Sequence, residues 1–169
     1  MKHFKTLVLV AIFTIGLGSV ANAQKTAHIN TDKLLSEMPA TKAMKAELEK
    51  LNKTYSDDIE AMAKKAEAKF KKYEAEGKSQ TQEVNQKRAL EIQQDRQRIG
   101  QAQQSASQEM QKKYQEKTIP ILKKAEQAIK DVAAAKGIIY VFDAAPGKGL
   151  IVYDKGEDIY DAVKAKLGF

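Results

Sequence analysis

The sequence predicts an α+β protein that is mostly α-helical, with a small β-rich body and a long antiparallel helical hairpin (a coiled coil) as its arm. Residues 40–136 consist almost entirely of helix-forming residue types. The chain also has 30% charged residues, which is typical of long helices and coiled coils. Runs of β-prone residues occur only near the two ends, in residues 26–30 and 138–153. The arm is therefore one continuous central segment, and the body is built from both ends of the chain.

Residues 1–23 have the pattern of a signal peptide that is cleaved on export. Lys2 and Lys5 form a basic start, Leu7 to Val20 is apolar, and residues 21–23 (Ala-Asn-Ala) match a cleavage site. The apolar run of about 14 residues covers only ~21 Å as a helix, less than the ~30 Å of a bilayer core. The sequence thus favours a cleaved signal, and an uncleaved membrane anchor is the alternative.

The first part of the body, residues 24–39, is predicted as a strand followed by a short helix. The strand runs from Thr26 to Asn30. Thr31 and Asp32 are residue types that cap helices, so we expect them to begin the helix. A proline at position 39 should end or redirect it before the arm begins.

Apolar residues repeat every 11 residues along the outgoing half of the arm (residues 40–76). A period of ~3.67 residues per turn predicts a nearly straight or gently right-handed apolar stripe. We interpret the stripe as the seam that packs on the second half of the arm. It comprises Met44, Leu48, Leu51, Tyr55, Ile59, Met62, Ala66, Phe70 and Tyr73.

The tip of the arm, where the chain turns back, is predicted near residues 76–81. Gly77 suits a helix C-terminus that requires positive φ. Ser79 or Thr81 can cap the returning helix, and Glu83 lies near its start.

The returning half of the arm (residues 77–136) is more polar and carries most of the excess positive charge. A helix this polar can contact a partner only along a narrow stripe. Gly100 weakens its middle by ~1 kcal/mol. Pro120 removes a backbone donor and crowds the preceding turn, so it should kink the helix or begin its last segment. Gly100 and Pro120 are therefore candidate hinges, and Gly137 should end the helix.

Residues 137–169 complete the body. Ile138 to Phe142 and Leu150 to Tyr153 are predicted as a β-hairpin around a Pro/Gly-rich turn. Glu157 to Leu167 has apolar residues at helical spacing and is predicted as a helix. The turn contains "PGKG", but it lacks the spacing of a phosphate-binding loop and precedes no helix, so it predicts no nucleotide site.

The body is close to the lower size limit for independent folding, and the chain has no cysteine to reinforce it. Residues 138–142 are apolar on both faces, which suits a strand covered on both sides. We therefore expect several bodies to associate. The candidate oligomerisation residues are Ile29, Ile139, Val141, Ile151 and Tyr153.

The sequence lacks the parts of an active site. Its histidines are His3 and His28, and many arm carboxylates precede a lysine at i+4, as Glu60 precedes Lys64. We expect no enzymatic activity, no cofactor and no metal. The net charge of +7 would suit a nucleic-acid binder. Interspersed acidic residues and the export signal argue against nucleic acid as a partner.

Two end segments carry a resemblance to a known family. They are "AHINTDKLLSEMPATKAMKAELEKL" and "GIIYVFDAAPGKGLIVYDKGEDIYDAVKAKL", placed on either side of the helical hairpin. In this order they resemble the OmpH-like family, whose Skp-type members are periplasmic chaperones of outer-membrane proteins. The resemblance implies a periplasmic homotrimer whose three arms enclose a cavity. It also implies that unfolded outer-membrane β-barrel proteins are held there without ATP.

The resemblance further implies many weak contacts between client and arms, so that multiplicity supplies the avidity. Candidate client-binding residues are Lys64, Lys65, Lys69, Phe70, Lys71, Lys72, Tyr73, Lys87, Arg88, Arg96, Arg98, Ile99 and Met110. Contact with anionic lipid or lipopolysaccharide stays open, because no phosphate-binding cluster can be aligned on this chain. A structural envelope spacer or a membrane-tethered coiled-coil stalk is the alternative function, and it would be recovered with membranes.

Overall fold

A computed structural model describes residues 25–148, 151 and 153–169. The predicted signal peptide, residues 1–23, lies outside the described residues, as do positions 150 and 152 of the predicted hairpin. The described chain is mostly helical with one small sheet, which confirms the predicted fold class. Across this described part, the helices are too short or too polar to cross a membrane.

Four α-helices, one 3₁₀ helix and three strands make up the described structure. In chain order they are β1 (Thr26–Ile29), α1 (Thr31–Glu37), α2 (Pro39–Glu76), a 3₁₀ helix (Gly77–Ser79), α3 (Gln82–Lys136), β2 (Tyr140–Asp143), β3 (Glu157–Asp158) and α4 (Tyr160–Leu167). Helices α2 and α3 form the antiparallel arm. With 38 and 55 residues, they extend roughly 57 and 82 Å at 1.5 Å per residue.

The sheet has the order β2-β1-β3, and both pairings are parallel. Strand β1, the first of the three in the chain, lies in the centre and pairs with both later strands. Two expectations need correction. Glu157 and Asp158 were expected to begin the last helix but form β3 beside Ala27 and His28. Strand β2 was expected in a hairpin, yet its partner among the described residues is β1, and residues 151 and 153 belong to no strand.

The N-terminus of α1 is capped by Asn30 and not by Thr31 or Asp32. The Asn30 side chain accepts a hydrogen bond of 2.9 Å from the backbone N–H of Lys33. Thr31 is instead turned toward the end of β2, where its hydroxyl donates a 2.7 Å hydrogen bond to Asp143. The prediction was wrong because the side chain of Thr31 serves a tertiary contact that local sequence does not reveal.

The tip of the arm turns without the left-handed residue expected at Gly77. Gly77 has φ −55° and ψ −35°, an ordinary helical conformation. The chain tightens into the 3₁₀ helix there, so no positive φ is required. Thr81 caps α3 by accepting from the N–H of Val84 at 3.3 Å. Gly137, with φ 66°, ends α3 as predicted.

The hydrophobic core lies where the sheet, α1 and α4 meet the lower ends of the arm. Its most buried large side chains are Ile29, Leu34, Ile159 and Val163. The arm adds Met44, Leu48, Ile121, Ala125, Ala128 and Val132 to the same cluster. Because these residues share one core with the sheet, the base of the arm and the body are packed together as one unit.

The seam between α2 and α3 becomes more polar with distance from this core. Apolar side chains give way to a depression of about 470 Å³ lined partly by Tyr55, Ile59 and Met110. Nearer the tip, Lys69 and Tyr73 contact acidic residues of α3, and Phe70 is 43% exposed. Helix α3 runs unbroken through Gly100 and Pro120. Pro120 thus begins no separate segment, and its exposed position leaves the seam intact.

Candidate functional site

A groove near the tip of the arm gathers aromatic and cationic side chains. This tip groove has a volume of about 390 Å³. It is lined by Phe70, Tyr73 and Glu74 of α2 and by Asn85, Arg88, Ala89, Ile92 and Arg96 of α3. Phe70 and Glu74 are four residues apart, and the α3 residues recur at spacings of three and four. Each helix therefore presents one face to the groove.

Two arginines lie over the two aromatic rings of the groove. The guanidinium carbon of Arg88 is 4.5 Å from the ring centroid of Tyr73. That of Arg96 is 6.0 Å from the centroid of Phe70. Both distances fall within the range of cation–π attraction. The rings thereby orient the guanidinium groups along the groove.

The two arginines differ in what else they contact. Nη2 of Arg88 donates to Glu76 at 2.6 Å, while its Nη1 is buried and has no acceptor among the described residues. Arg96 makes no ion pair or hydrogen bond within the described part of the chain. Arg88 thus has an internal carboxylate partner, whereas the guanidinium of Arg96 is available to a ligand.

Contacts between the two helices hold the groove in shape. The hydroxyl of Tyr73 donates a 2.6 Å hydrogen bond to Glu91, and Lys69 pairs with Asp95. Asn85 donates to the carbonyl of Gly77 at 2.9 Å and fixes α3 against the turn. Glu91 raises the pKa of the Tyr73 hydroxyl through this hydrogen bond, and Asp95 likewise raises the pKa of Lys69. The hydroxyl therefore remains protonated and the lysine remains charged near neutral pH.

Of the candidate client-binding residues, the structure brings four together in the tip groove: Phe70, Tyr73, Arg88 and Arg96. Ile99 is half-buried, and Met110 lines the separate depression. The remaining candidates are dispersed lysines and an arginine. Lys64 pairs with Glu60, Lys71 with Glu67, and Lys69 and Arg98 with Asp95, while Lys65, Lys72 and Lys87 are simply exposed.

Sequence reasoning missed the lining residues Glu74, Asn85, Ala89 and Ile92. Ile92 is the informative one, because it is only 9% exposed in an otherwise polar stretch. Steps of three or four residues lead from Arg88 through Ile92 to Ile99 along one face of α3. This periodicity could have identified the face of α3 that lines the groove, but the signal is weak among so many glutamines.

The body exposes a second, more apolar surface. This body patch consists of Tyr140, Phe142 and Tyr153, which are exposed at 57, 44 and 78%, and Phe142 and Tyr153 line one depression. The rings of Tyr140 and Phe142 stack with centroids 6.4 Å apart. Of the oligomerisation candidates, Tyr153 lies in the patch, Ile139 is exposed next to Tyr140 in the chain, and Val141 and Ile151 are half-buried. Ile29 is 1% exposed and lies in the hydrophobic core.

Neither surface has the arrangement of a catalytic or metal centre. Over residues 25–148, 151 and 153–169, no three His, Asp or Glu side chains lie close enough together to hold a metal ion. His28 lies 3.7 Å from Asp154, without a third ionisable partner among the described contacts. The chemistry available in the tip groove is stacking, apolar contact and attraction of anions, which is the chemistry of binding.

Comparisons with known proteins agree on one family. The model of the family described as outer membrane protein (OmpH-like) matches residues 25–167. The chain also resembles a crystal structure of a candidate outer membrane chaperone (OmpH-like) from Caulobacter crescentus CB15. The TM-score is 0.77 at 16% sequence identity, and the match covers 89% of this chain and 88% of that chain. A search of curated proteins gave no significant match.

Proposed function

We propose, because this chain belongs to the OmpH-like family, that it is an ATP-independent holdase chaperone of the periplasm. In this proposal residues 1–23 are removed on export, and residues 24–39 and 137–169 form an oligomerisation body. The arm, residues 40–136, binds unfolded outer-membrane β-barrel proteins and prevents their aggregation. Gly100 and Pro120 are the proposed hinges of the arm.

The observation that carries the proposal is the tip groove itself. Phe70, Tyr73, Arg88 and Arg96 lie together far along the arm from the hydrophobic core, so they contribute little to a conventional core. Aromatic rings and guanidinium groups bind many unrelated polypeptides through stacking and through carboxylates. A chaperone requires such broad, weak binding, repeated over several arms.

The body patch supports oligomerisation, and the family resemblance favours a homotrimer. Three large aromatic side chains together on a small body are typical of an interaction surface. Several arms would then point away from one assembled body and surround a client. Such a cavity supplies the avidity that a single groove lacks.

An aggregation assay tests the proposal. An outer-membrane β-barrel protein unfolded in urea is diluted with and without the purified protein, and turbidity is followed. We expect suppression by the wild type and weaker suppression by Phe70→Ala/Arg96→Gln. The matched control is Lys53→Gln/Lys113→Gln, which removes two arm cations whose partners lie on the same helix. Unchanged aggregation at a several-fold excess of wild-type oligomer would refute the holdase.

Salt separates the electrostatic from the apolar part of binding. Attraction between exposed charges falls as the Debye length shrinks from ~10 Å at 0.1 M salt to ~3 Å at 1 M. We therefore expect client affinity to decrease with added salt. Affinity that does not change would assign client binding to apolar contacts alone.

Recovery of the protein with membranes would favour the alternative function, a membrane-tethered coiled-coil stalk.

A further inference from the structure

The two ends of the tip groove are chemically different. At the end nearer the body, Arg96 lies over Phe70. At the end nearer the tip, Glu74 and the amide of Asn85 form the rim. Ile92 lies between these ends as a buried apolar surface. A ligand that places an apolar group on Ile92 and an anion at Arg96 therefore has one favoured orientation.

Arg96 is the cation in the groove that is free to bind an added anion. Arg88 already has Glu76 at 2.6 Å. Lys69 and Arg98, which are nearby on the arm, both contact Asp95. A guanidinium group binds a carboxylate with two parallel hydrogen bonds, so a carboxylate suits Arg96 better than a neutral acceptor does.

The spacing along α3 matches that of an extended polypeptide. Ile92 and Arg96 are four residues apart, which corresponds to ~6 Å along the helix axis. In an extended strand, side chains i and i+2 point to the same side and are ~6.6 Å apart. An aromatic side chain on Ile92 would thus place the side chain two residues away beside Arg96.

We propose that the tip groove selects extended segments in which an aromatic residue and an aspartate or glutamate are two positions apart. The aromatic ring packs between Phe70, Tyr73 and Ile92, and the carboxylate binds Arg96. This inference rests on the proposed holdase function and specifies which segments of a client the groove takes. Transmembrane β-strands carry aromatic residues in girdles at the membrane interfaces, so unfolded barrels contain suitable aromatic anchors.

Tryptophan fluorescence provides a direct test, because the protein itself contains no tryptophan. The probe is a blocked ten-residue Gly/Ser peptide with Trp-Ser-Asp at its centre. Two further peptides carry Trp-Ser-Asn or Ala-Ser-Asp at the same place. The Ala-Ser-Asp peptide has no tryptophan, so it bears an N-terminal dye and its binding is followed by fluorescence anisotropy. We expect the Asn peptide to bind the wild type about tenfold more weakly than the Asp peptide does. The Asp peptide should bind Arg96→Gln about tenfold more weakly than it binds the wild type. The Asn peptide should bind wild type and Arg96→Gln alike, since the pair is already broken. The Ala peptide should lose binding.

Arg98→Gln is the matched control. Arg98 is two residues from Arg96 in the sequence, lies outside the groove and has a side chain that is 69% exposed. Equal weakening by Arg96→Gln and Arg98→Gln would overturn the inference, because it would indicate diffuse charge attraction. So would equal binding of the Asp and Asn peptides. The aggregation assay is run on the same samples. Suppression of aggregation without selective peptide binding would refute the groove's specificity alone, whereas failure of wild type to suppress aggregation would refute the holdase function.

Discussion

The hydroxyl of Thr31 donates a 2.7 Å hydrogen bond to the carboxylate of Asp143, which lies 112 residues later in the chain. The backbone N–H groups of Thr31 and Ala145 also donate to this carboxylate, at 3.3 and 3.0 Å. Burial raises the pKa of Asp143, but these hydrogen bonds outweigh it and hold the pKa below its usual value. One ionised carboxylate thus joins the start of α1 to the end of β2.

Replacement of Thr31 by valine should therefore destabilise the body. Hydrogen bonds to charged groups contribute about 1.5–3 kcal/mol, so we expect the free energy of unfolding to fall by that order. Urea unfolding followed by circular dichroism, at one fixed protein concentration, measures the change. Thr31→Ser keeps the hydroxyl and should lose much less. Equal stability of the valine and serine variants would show that the hydrogen bond contributes little.

Alanine at position 77 should stabilise the arm. Gly77 has a helical φ of −55°, and an added Cβ would meet only Oδ1 of Asn85, at 3.9 Å. Reduced freedom of the unfolded chain then stabilises the fold by about 0.4–1 kcal/mol. Gly137→Ala is the opposite case, because φ is +66° there, and it should lower the melting temperature. A lower melting temperature for Gly77→Ala would indicate a left-handed turn at the tip.

Acid should destabilise the body partly through Glu37. The 2.7 Å hydrogen bond from Lys164 lowers the pKa of Glu37 from 4.5 to about 2. Because the folded pKa is depressed, this stabilisation is complete above about pH 4.5 and is lost as the pH falls toward 2. In Glu37→Gln, the melting temperature should fall less steeply across this window than in the wild type. The exposed Glu49→Gln should keep the wild-type slope, and identical slopes in all three proteins would exclude the linkage.

Serine at position 142 should weaken the oligomer. Phe142 is 44% exposed in the body patch, and Phe70 is 43% exposed near the tip, so the two are matched in residue type and exposure. If the patch is the interface, sedimentation velocity should show Phe142→Ser dissociating at concentrations where Phe70→Ser stays assembled. Similar sedimentation of both variants would place the interface elsewhere, and a wild-type monomer at micromolar concentration would exclude the oligomer.

The helices were predictable because their signals are local. Met44 and Leu48 keep the helical period over several turns, and Gly137 ends α3 where the apolar stripe ends. Strand β3 was not predictable, since Glu157 and Asp158 have low β-propensity. They are held in a strand by pairing with β1, which is a tertiary effect.

Half of the residues that line the tip groove were predictable, but their assembly was not. Phe70 and Arg96 were identified singly as candidates, from residue type and the family resemblance. Their meeting depends on the register between α2 and α3, which Lys69–Asp95 and Tyr73–Glu91 help to set. Charged and polar residues are so common on both helices that many registers would satisfy such pairs, and sequence alone does not select one.

The central position of β1 has a consequence for the order of folding. β1 emerges first during synthesis, and both of its partner strands follow the entire arm. Helices form from near-neighbour contacts and are fast, whereas pairing of distant strands must first overcome the entropy of loop closure. We expect the hairpin of α2 and α3 to form first and to bring β1 and β2 together, so that the sheet is completed last. Pulse-labelled hydrogen exchange should then protect the arm amides before those of Ala27 and Ile29, and simultaneous protection would contradict this order.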